Sequence, residues 1–168
     1  MYIGFFDGAC EPRNPNGNMG IGAVIYEVND ATLLKRFRNG ETSKEVFGNL
    51  SPVFFHSECI MYGERGFTQT SNNVAEYMGV IEIMKKLHEL KAESAYIFGD
   101  SKLVVEQLNG YWKIKQGAYV KYAHEAKKLL KPDFKFIWIR REYNDIGDDL
   151  SKVKMIERGV EFKIQPNK

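Results

Sequence analysis

The sequence predicts one α/β domain built on a mixed sheet, an antiparallel meander joined to a parallel αβα part. Three observations carry this. The chain has 168 residues, 43% hydrophobic and 27% charged, which is enough to bury one core and stay soluble. Strand-like apolar runs come first. From residue 73 onward, helical periodicity alternates with short apolar runs, the order a parallel sheet with crossover helices produces.

Taken in order, residues 2–9 read as a buried strand, and CEPRNPNGNMG after them as a loop punctuated by Pro, Asn and Gly. Residues 21–28 are apolar and β-branched, a second strand closed by the Asn29-Asp30 turn. Residues 32–38 are expected to continue as strand, 39–52 as loop, and 53–60 and 61–70 as extended segments interrupted near Gly63. Residues 73–90 give the clearest helix, because Val80, Ile83, Met84, Leu87 and Leu90 recur at helical spacing. Residues 94–99 form a short apolar strand ending at Asp100. The helix after it stops at Asn109-Gly110. Residues 118–130 are amphipathic and end before Pro132, 134–139 read as a buried strand, and 145–158 as a last helix ended by Gly159. Residues 160–164 are expected to be a short extended tail.

A net charge of +2 excludes a strongly basic DNA-coating protein. It is compatible with a nucleic-acid enzyme, whose basic face and acidic metal pocket cancel in the sum. Lys113, Lys115, Lys121, Lys127, Lys128 and Lys131 crowd one segment, either a solvated helix face or a set of phosphate contacts. No apolar run reaches the roughly 18 residues of a membrane span. The start MYIGFFDG lacks a basic region followed by an apolar one, so no signal peptide and a cytoplasmic location are expected. Two distant cysteines, Cys10 and Cys59, give no metal motif and no disulfide framework. Free thiols in a reducing compartment fit, and a single bridge stays open.

The chemistry rests on four acidic residues in distinct contexts: Asp7 in FFDGAC, Glu76 in TSNNVAEYMGV, Asp100 in YIFGDSKLVV and Asp148 in REYNDIGDDLSK. Each has a purely local explanation. Asp7 fits an Asx turn, and Asp100 fits an N-cap. Glu76 fits a capping box with Asn73, and Asp148 fits the positive end of a helix dipole. Jointly they say something else. Ends of adjacent central strands bring Asp7 and Asp100 together, and helix starts beside that edge add Glu76 and Asp148. Such a cluster repels itself unless cations compensate, and two Mg²⁺ ions about 3.5–4 Å apart are the known arrangement for in-line phosphodiester cleavage.

In that order and in those contexts the four residues resemble the motifs of a type 1 ribonuclease H, over roughly residues 2–28 and 66–153. The resemblance implies a ribonuclease H-like fold: a five-stranded mixed sheet, strand order 3-2-1-4-5, flanked by helices. It implies hydrolysis of the RNA strand of RNA/DNA hybrids, with Asp7, Glu76 and Asp100 on one Mg²⁺ and Asp7 and Asp148 on the other. Mn²⁺ is the alternative. The last motif departs from the family at Gly147 and Ser151. Asp149 adjoins Asp148, and helix geometry alone does not choose between them. Arg141 stands where relatives lacking a loop histidine carry an arginine, and an ordinary surface ion pair is its plainer reading.

By the same resemblance Gly8, Ala9, Cys10, Asn14, Asn72 and Asn73 would read the RNA 2′-hydroxyls, and Tyr111, Trp112 and Lys113 would line the DNA strand. Trp112 as a core residue is the alternative. Only residues 113–117 separate Trp112 from the next helix. That leaves no room for the extra basic helix of some relatives, so modest, salt-sensitive binding is expected. Residues 1–168 are read as one such domain, with a family-atypical insertion at about 29–65 and a tail at 159–168. The partner is an RNA/DNA hybrid, with no membrane, and a monomer is expected. The rivals are a DNA nuclease or integrase-like enzyme on the same fold and a catalytically silent hybrid-binding module.

Overall fold

The computed structural model of the protein describes residues 1–164. Two long strands, β1 (Tyr2–Glu11) and β2 (Asn18–Glu27), form an antiparallel hairpin. Helices α1 (Ala31–Arg38) and α2 (Ser43–Phe47) follow, then β3 (Phe54–Ile60), α3 (Asn72–Glu89), β4 (Ser94–Gly99), α4 (Lys102–Leu108), α5 (Val120–Lys127), β5 (Asp133–Trp138) and α6 (Asp145–Glu157). The five strands form one sheet ordered β3-β2-β1-β4-β5, as the sequence predicts. β2 is antiparallel to both β1 and β3, while β1, β4 and β5 run parallel.

Period-two alternation sends successive side chains to opposite faces, and both faces are covered, so the strands read as nearly continuous apolar runs. Phe6, Ile25 and Ile97 pack under α3, α4 and α5 with Tyr77, Ile83, Met84 and Leu108. Their neighbours Phe5, Val24 and Phe98 face the other way, toward Phe37 of α1, Phe47 of α2 and Ile146 of α6. Phe5 meets the rings of Phe37, Phe47 and Phe98 at centroid distances of 5.2, 5.5 and 5.4 Å.

The segment between β2 and β3 is therefore core. Residues 32–38 are the helix α1, not a strand. Asp30 caps it by accepting from the Thr32 N–H, and Leu33, Leu34 and Phe37 lie on its inner side. The expected loop at 39–52 contains α2, capped by Thr42 on the Glu45 N–H. Residues 61–70 hold a single 3-10 turn, Glu64–Gly66, rather than an extended segment. The first hairpin is longer than expected, since both strands run into the stretch read as loop. Residues 160–164 form no strand; Val160 and Phe162 instead pack on Met155 and Cys59, and residues 165–168 of the expected tail lie outside the described residues.

Backbone packing fixes α6 against the sheet. A side chain at Gly20 or Gly22 would collide with the Ser151 backbone of α6, at 1.9 and 2.6 Å. Two glycines of β2 thus let α6 approach the sheet at backbone distance.

Candidate active site

Register places the first two carboxylates. Phe6 of β1 pairs with Gly99 of β4 in the parallel ladder, so the next residues, Asp7 and Asp100, emerge side by side at the carboxyl edge. Glu76 arrives from the first turns of α3. Gly8 makes that approach possible, because a Cβ there would sit 2.3 Å from the Glu76 backbone nitrogen. One carboxylate oxygen each of Asp7, Glu76 and Asp100 lies within 4.8 Å of the others.

The local explanations of these three residues largely fall away. Ser71 caps α3, accepting from the Val74 N–H at 3.1 Å, so no capping box runs from Asn73 to Glu76. Glu76 is 5% exposed, and its Oε2 is buried with no hydrogen-bond partner among the described residues. Ser101, not Asp100, caps α4. Asp7, also 5% exposed, does accept from its neighbour's Gly8 N–H at 2.9 Å, but that leaves its other oxygen for the cluster.

Electrostatics match the crowding. Burial, then the Asp100 charge, pushes the Asp7 carboxyl up to about 8. Burial, then Asp7 and Asp100, holds Glu76 well above its usual range. Burial also raises Asp100, opposed by the hydrogen bond from Asn144 and the charge of Arg141. Carboxylates crowded and buried in this way favour neutralisation, by protons or by a cation.

Asp148 stands slightly apart, on the first turns of α6. Its carboxylate is met by Lys152 one turn along, with Nζ 3.0 Å from Oδ1 and 3.3 Å from Oδ2. Arg141 lies 3.8 Å from Oδ1. Asp149 turns the other way, to Lys44 of α2 at 2.5 Å. Asp145 is engaged by α2 as well, accepting from Ser43 Oγ at 2.6 Å and the Lys44 N–H at 2.8 Å. Of the three aspartates on this helix, only Asp148 faces the other carboxylates, and its charge bears on both Asp7 and Asp100.

A cleft of about 1020 Å³ opens over the cluster. Asp7, Gly8, Ala9, Cys10, Asn14, Asn72, Asn73, Glu76, Asp100 and Arg141 all line it. Asn14 Oδ1 accepts from the Asn72 N–H at 3.0 Å, which pins the first hairpin's loop to the start of α3 and leaves the Asn14 amide for another partner. Tyr111, Trp112 and Lys113 do not line the cleft. They follow α4 on the surface, with Tyr111 78% and Trp112 44% exposed, so Trp112 is not a core residue. No helix occupies residues 109–119. Both cysteines are free and buried.

Three side chains missed in the sequence reading belong here. Lys152 had a legible signal, an Asp–Lys pair at i,i+4 on a helix. Buried Asn144 donates from Nδ2 to the Phe6 carbonyl at 2.9 Å and to Asp100 Oδ2 at 3.3 Å, tying the ends of β1 and β4 to the start of α6. Lys102 lines the cleft and lies over the Trp138 ring, 5.3 Å from its centroid. Neither of the last two contacts leaves a pattern in one sequence.

The fold and this carboxylate set can be compared with known proteins. A family model described as reverse transcriptase-like matches residues 57–154, more than half of the chain. The chain belongs to this ribonuclease H-like family. Among solved structures it is similar to the N-terminal RNase H domain of Rv2228c from Mycobacterium tuberculosis, with 26% identity, coverage of 93% of this chain and 94% of that one, and a TM-score of 0.69. It is similar to LC11-RNase H1 solved in complex with an RNA/DNA hybrid, at 26% identity, 89% and 93% coverage and a TM-score of 0.60. RNase H1 from Halobacterium salinarum NRC-1 shares the fold, at 22% identity, 93% and 98% coverage and a TM-score of 0.68. Among curated sequences, the bifunctional protein Rv2228c is 33% identical over 102 residues. That stretch spans 60% of this chain but only 28% of that longer protein.

Proposed function

We propose that this ribonuclease H-like protein is an endoribonuclease that hydrolyses the RNA strand of RNA/DNA hybrids by two-metal-ion catalysis, acting as a monomer with Mg²⁺, or Mn²⁺ in its place. The observation that carries the reading is the triad of buried Asp7 and Glu76 with half-buried Asp100, Glu76 Oε2 unpartnered, at the floor of an open cleft. An all-oxygen donor set suits a hard divalent cation. The similarity to a hybrid-bound RNase H1 and to the RNase H domain of Rv2228c supports the choice of substrate.

Asp7, Glu76 and Asp100 would hold one ion, and Asp7 with Asp148 the other. When bound, the ions supply a nucleophilic hydroxide at neutral pH and stabilise charge on the phosphate and the leaving 3′ oxygen. Lys152 holds the Asp148 carboxylate in place, and it must give way for Asp148 to act as a ligand. Asn144 fixes the Asp100 carboxylate relative to β1. Backbone groups of Gly8, Ala9 and Cys10, the Asn14 amide, and the Asn72 and Asn73 side chains would meet RNA 2′-hydroxyls at the minor groove, where RNA differs from DNA. Arg141 would meet the phosphate at the cleft mouth. Tyr111, Trp112 and Lys113, away from the chemistry, would steady the DNA strand.

Labelled RNA/DNA, RNA/RNA and DNA/DNA duplexes, each with and without Mg²⁺, test this. Cleavage should be confined to the hybrid, need the metal, and leave 5′-phosphate and 3′-hydroxyl ends. Cleavage of DNA/DNA instead would favour a DNA nuclease of the same fold. Hybrid binding without cleavage would favour a silent module, and 2′,3′-cyclic products in EDTA would overturn the two-metal reading.

A further inference from the structure

A second cavity lies elsewhere on the surface. It has a volume of about 400 Å³ and lies between the C-terminal end of α1 and the link from β5 to α6. Its floor is apolar, from buried Phe37 and Phe98, and its walls carry Trp138 and Tyr143. Two exposed arginines, Arg38 and Arg140, stand on its rim, and no acidic residue lines it. Among the described residues, the arginine ion pairs belong to Arg36, Arg65, Arg141 and Arg158, which leaves both rim guanidiniums free. The cavity takes its size from an aromatic floor and its charge from unpaired cations, a combination that suits an aromatic ring joined to an anion.

Residues of the two cavities touch. The Trp138 indole N–H donates to the Asp100 carbonyl at 3.2 Å, while Lys102, which lines the catalytic cleft, covers the same ring. Adjacent arginines divide between them: Arg141 faces the cleft and Arg140 the groove. A nucleic-acid strand leaving Asp100 would meet Lys102, Trp138, Arg140 and Arg38 in turn.

We propose that this groove binds single-stranded RNA continuous with the RNA strand in the catalytic cleft, an unpaired base resting against the aromatic side chains and its phosphates between Arg38 and Arg140. Alternating cation and aromatic surfaces are how proteins hold unpaired strands, and stacking needs a base that is not already paired. The RNA strand is the one committed to, because the groove's Trp138 wall is hydrogen-bonded to Asp100, one of the carboxylates that would hold its scissile phosphate. The inference rests on the hybrid-cleaving reading. It adds a preference for hybrids whose RNA runs past the duplex end, such as a displaced or unpaired tail.

The test compares a blunt RNA/DNA hybrid with hybrids carrying a few unpaired ribonucleotides at the 5′ or the 3′ end of the RNA. The proteins are wild type and the double variant Arg38→Gln/Arg140→Gln, with melting curves confirming that the variant is folded. One of the two tails should lower the wild-type KM at least about fivefold. The double variant should lose that advantage and keep the wild-type kcat on the blunt hybrid. Its KM for the tailed hybrid should also depend less steeply on salt, by about 0.7 units of log–log slope per lost phosphate contact on the unpaired tail. A wild type indifferent to both tails, or a double variant that keeps the preference, overturns the groove while leaving the proposed activity intact. If wild type leaves the blunt hybrid uncut, the activity itself is wrong. Fluorescence anisotropy with a labelled oligoribonucleotide in EDTA then reads the groove directly: tighter binding by wild type than by the double variant supports it, and equal binding refutes it.

Discussion

Replacing Asp7 by Asn should stabilise the metal-free protein while abolishing catalysis, and the size of the gain follows from the site. The Asp7 carboxyl is raised from its ordinary 3.8 to about 8, first by burial and then by Asp100. A carboxyl raised in the folded state binds more protons than in the unfolded one between those two values. Its contribution to stability therefore falls as pH climbs from 4 to 8 and is flat above. At about 1.4 kcal/mol per pH unit, wild type forfeits about 4 kcal/mol at pH 7 and less than 2 kcal/mol at pH 5. An amide in the same place carries its own burial cost of about 2 kcal/mol at either pH. Asp7→Asn should then be near neutral at pH 5 and more stable by about 2 kcal/mol at pH 7, a rise in Tm of about 4–8 °C for a chain of this size.

The assay is thermal unfolding in EDTA at pH 5, 7 and 8, repeated with saturating Mg²⁺. Metal reverses the order. A ligand at 100 times its dissociation constant stabilises wild type by about 2.7 kcal/mol, and a variant missing the carboxylate proposed to serve both ions should gain little. Hybrid cleavage should be lost, while hybrid binding survives. If Asp7→Asn melts at or below wild type at pH 8 in EDTA, the carboxylates do not repel one another as argued, and the case for a cation-receiving site fails with them.

Glu76→Gln should lose activity at unchanged or raised Tm, because Ser71 and not Glu76 caps α3; full activity would return Glu76 to a structural role. Asp148→Asn should cripple cleavage and Asp149→Asn should leave it within about twofold, since Asp149 is engaged with exposed Lys44 in a surface pair worth about 0–1 kcal/mol; the reverse ranking in steady-state kinetics would refute the assignment. Ser43→Ala removes the hydroxyl held by Asp145, at a cost of about 1–2 kcal/mol; kcat should fall with KM unchanged, and an unaltered kcat would show that α2 does not position the site. Trp112→Ala with Lys113→Ala and Lys115→Ala should raise KM more than it lowers kcat, because binding that is equal in ground and transition states shows in KM alone; a pure kcat effect would place this segment in the chemistry.

Much of the central sheet was legible because its strands are buried on both faces and its helices carry strong periodicity. The limits of β4 and the start of α6 were read to the residue. The stretch between β2 and β3 was misread for a definite reason. Leu33, Leu34 and Phe37 are three apolar residues in a short segment, too few to separate a helical period from an extended one. The better signals are the caps, Asp30 before α1 and Thr42-x-x-Glu45 at α2. At the site, motif context found the carboxylates, but their local readings could be dismissed only with hydrogen-bond partners in view. Register between Phe6 and Gly99 and the partnerless Glu76 Oε2 are properties of the folded chain. Lys102 over Trp138 joins residues 36 positions apart, and no single-sequence pattern could have paired them.

Helix α2 bears on the active site rather than merely thickening the fold. α2 opens with Thr42 capping it, which turns the next residue, Ser43, toward the start of α6. Ser43 Oγ donates to Asp145 and accepts from the Ile146 N–H at 3.1 Å, so one hydroxyl satisfies two groups at the entrance of α6. Lys44 adds its N–H to Asp145 and its ammonium to Asp149. With Asp145 and Asp149 drawn to one side by α2, and Gly20 and Gly22 letting the helix settle onto β2, the rotation of α6 about its axis is fixed. Asp148 lies between those two aspartates in sequence; the helical repeat sets it about 60° from Asp145 and about 100° from Asp149 around the axis, on the flank whose charge bears on Asp7 and Asp100. These contacts set the orientation jointly, so each contributes to it. That is the expectation for a helix that must present a carboxylate to a site where misplacement by about 1 Å costs about a hundredfold in rate.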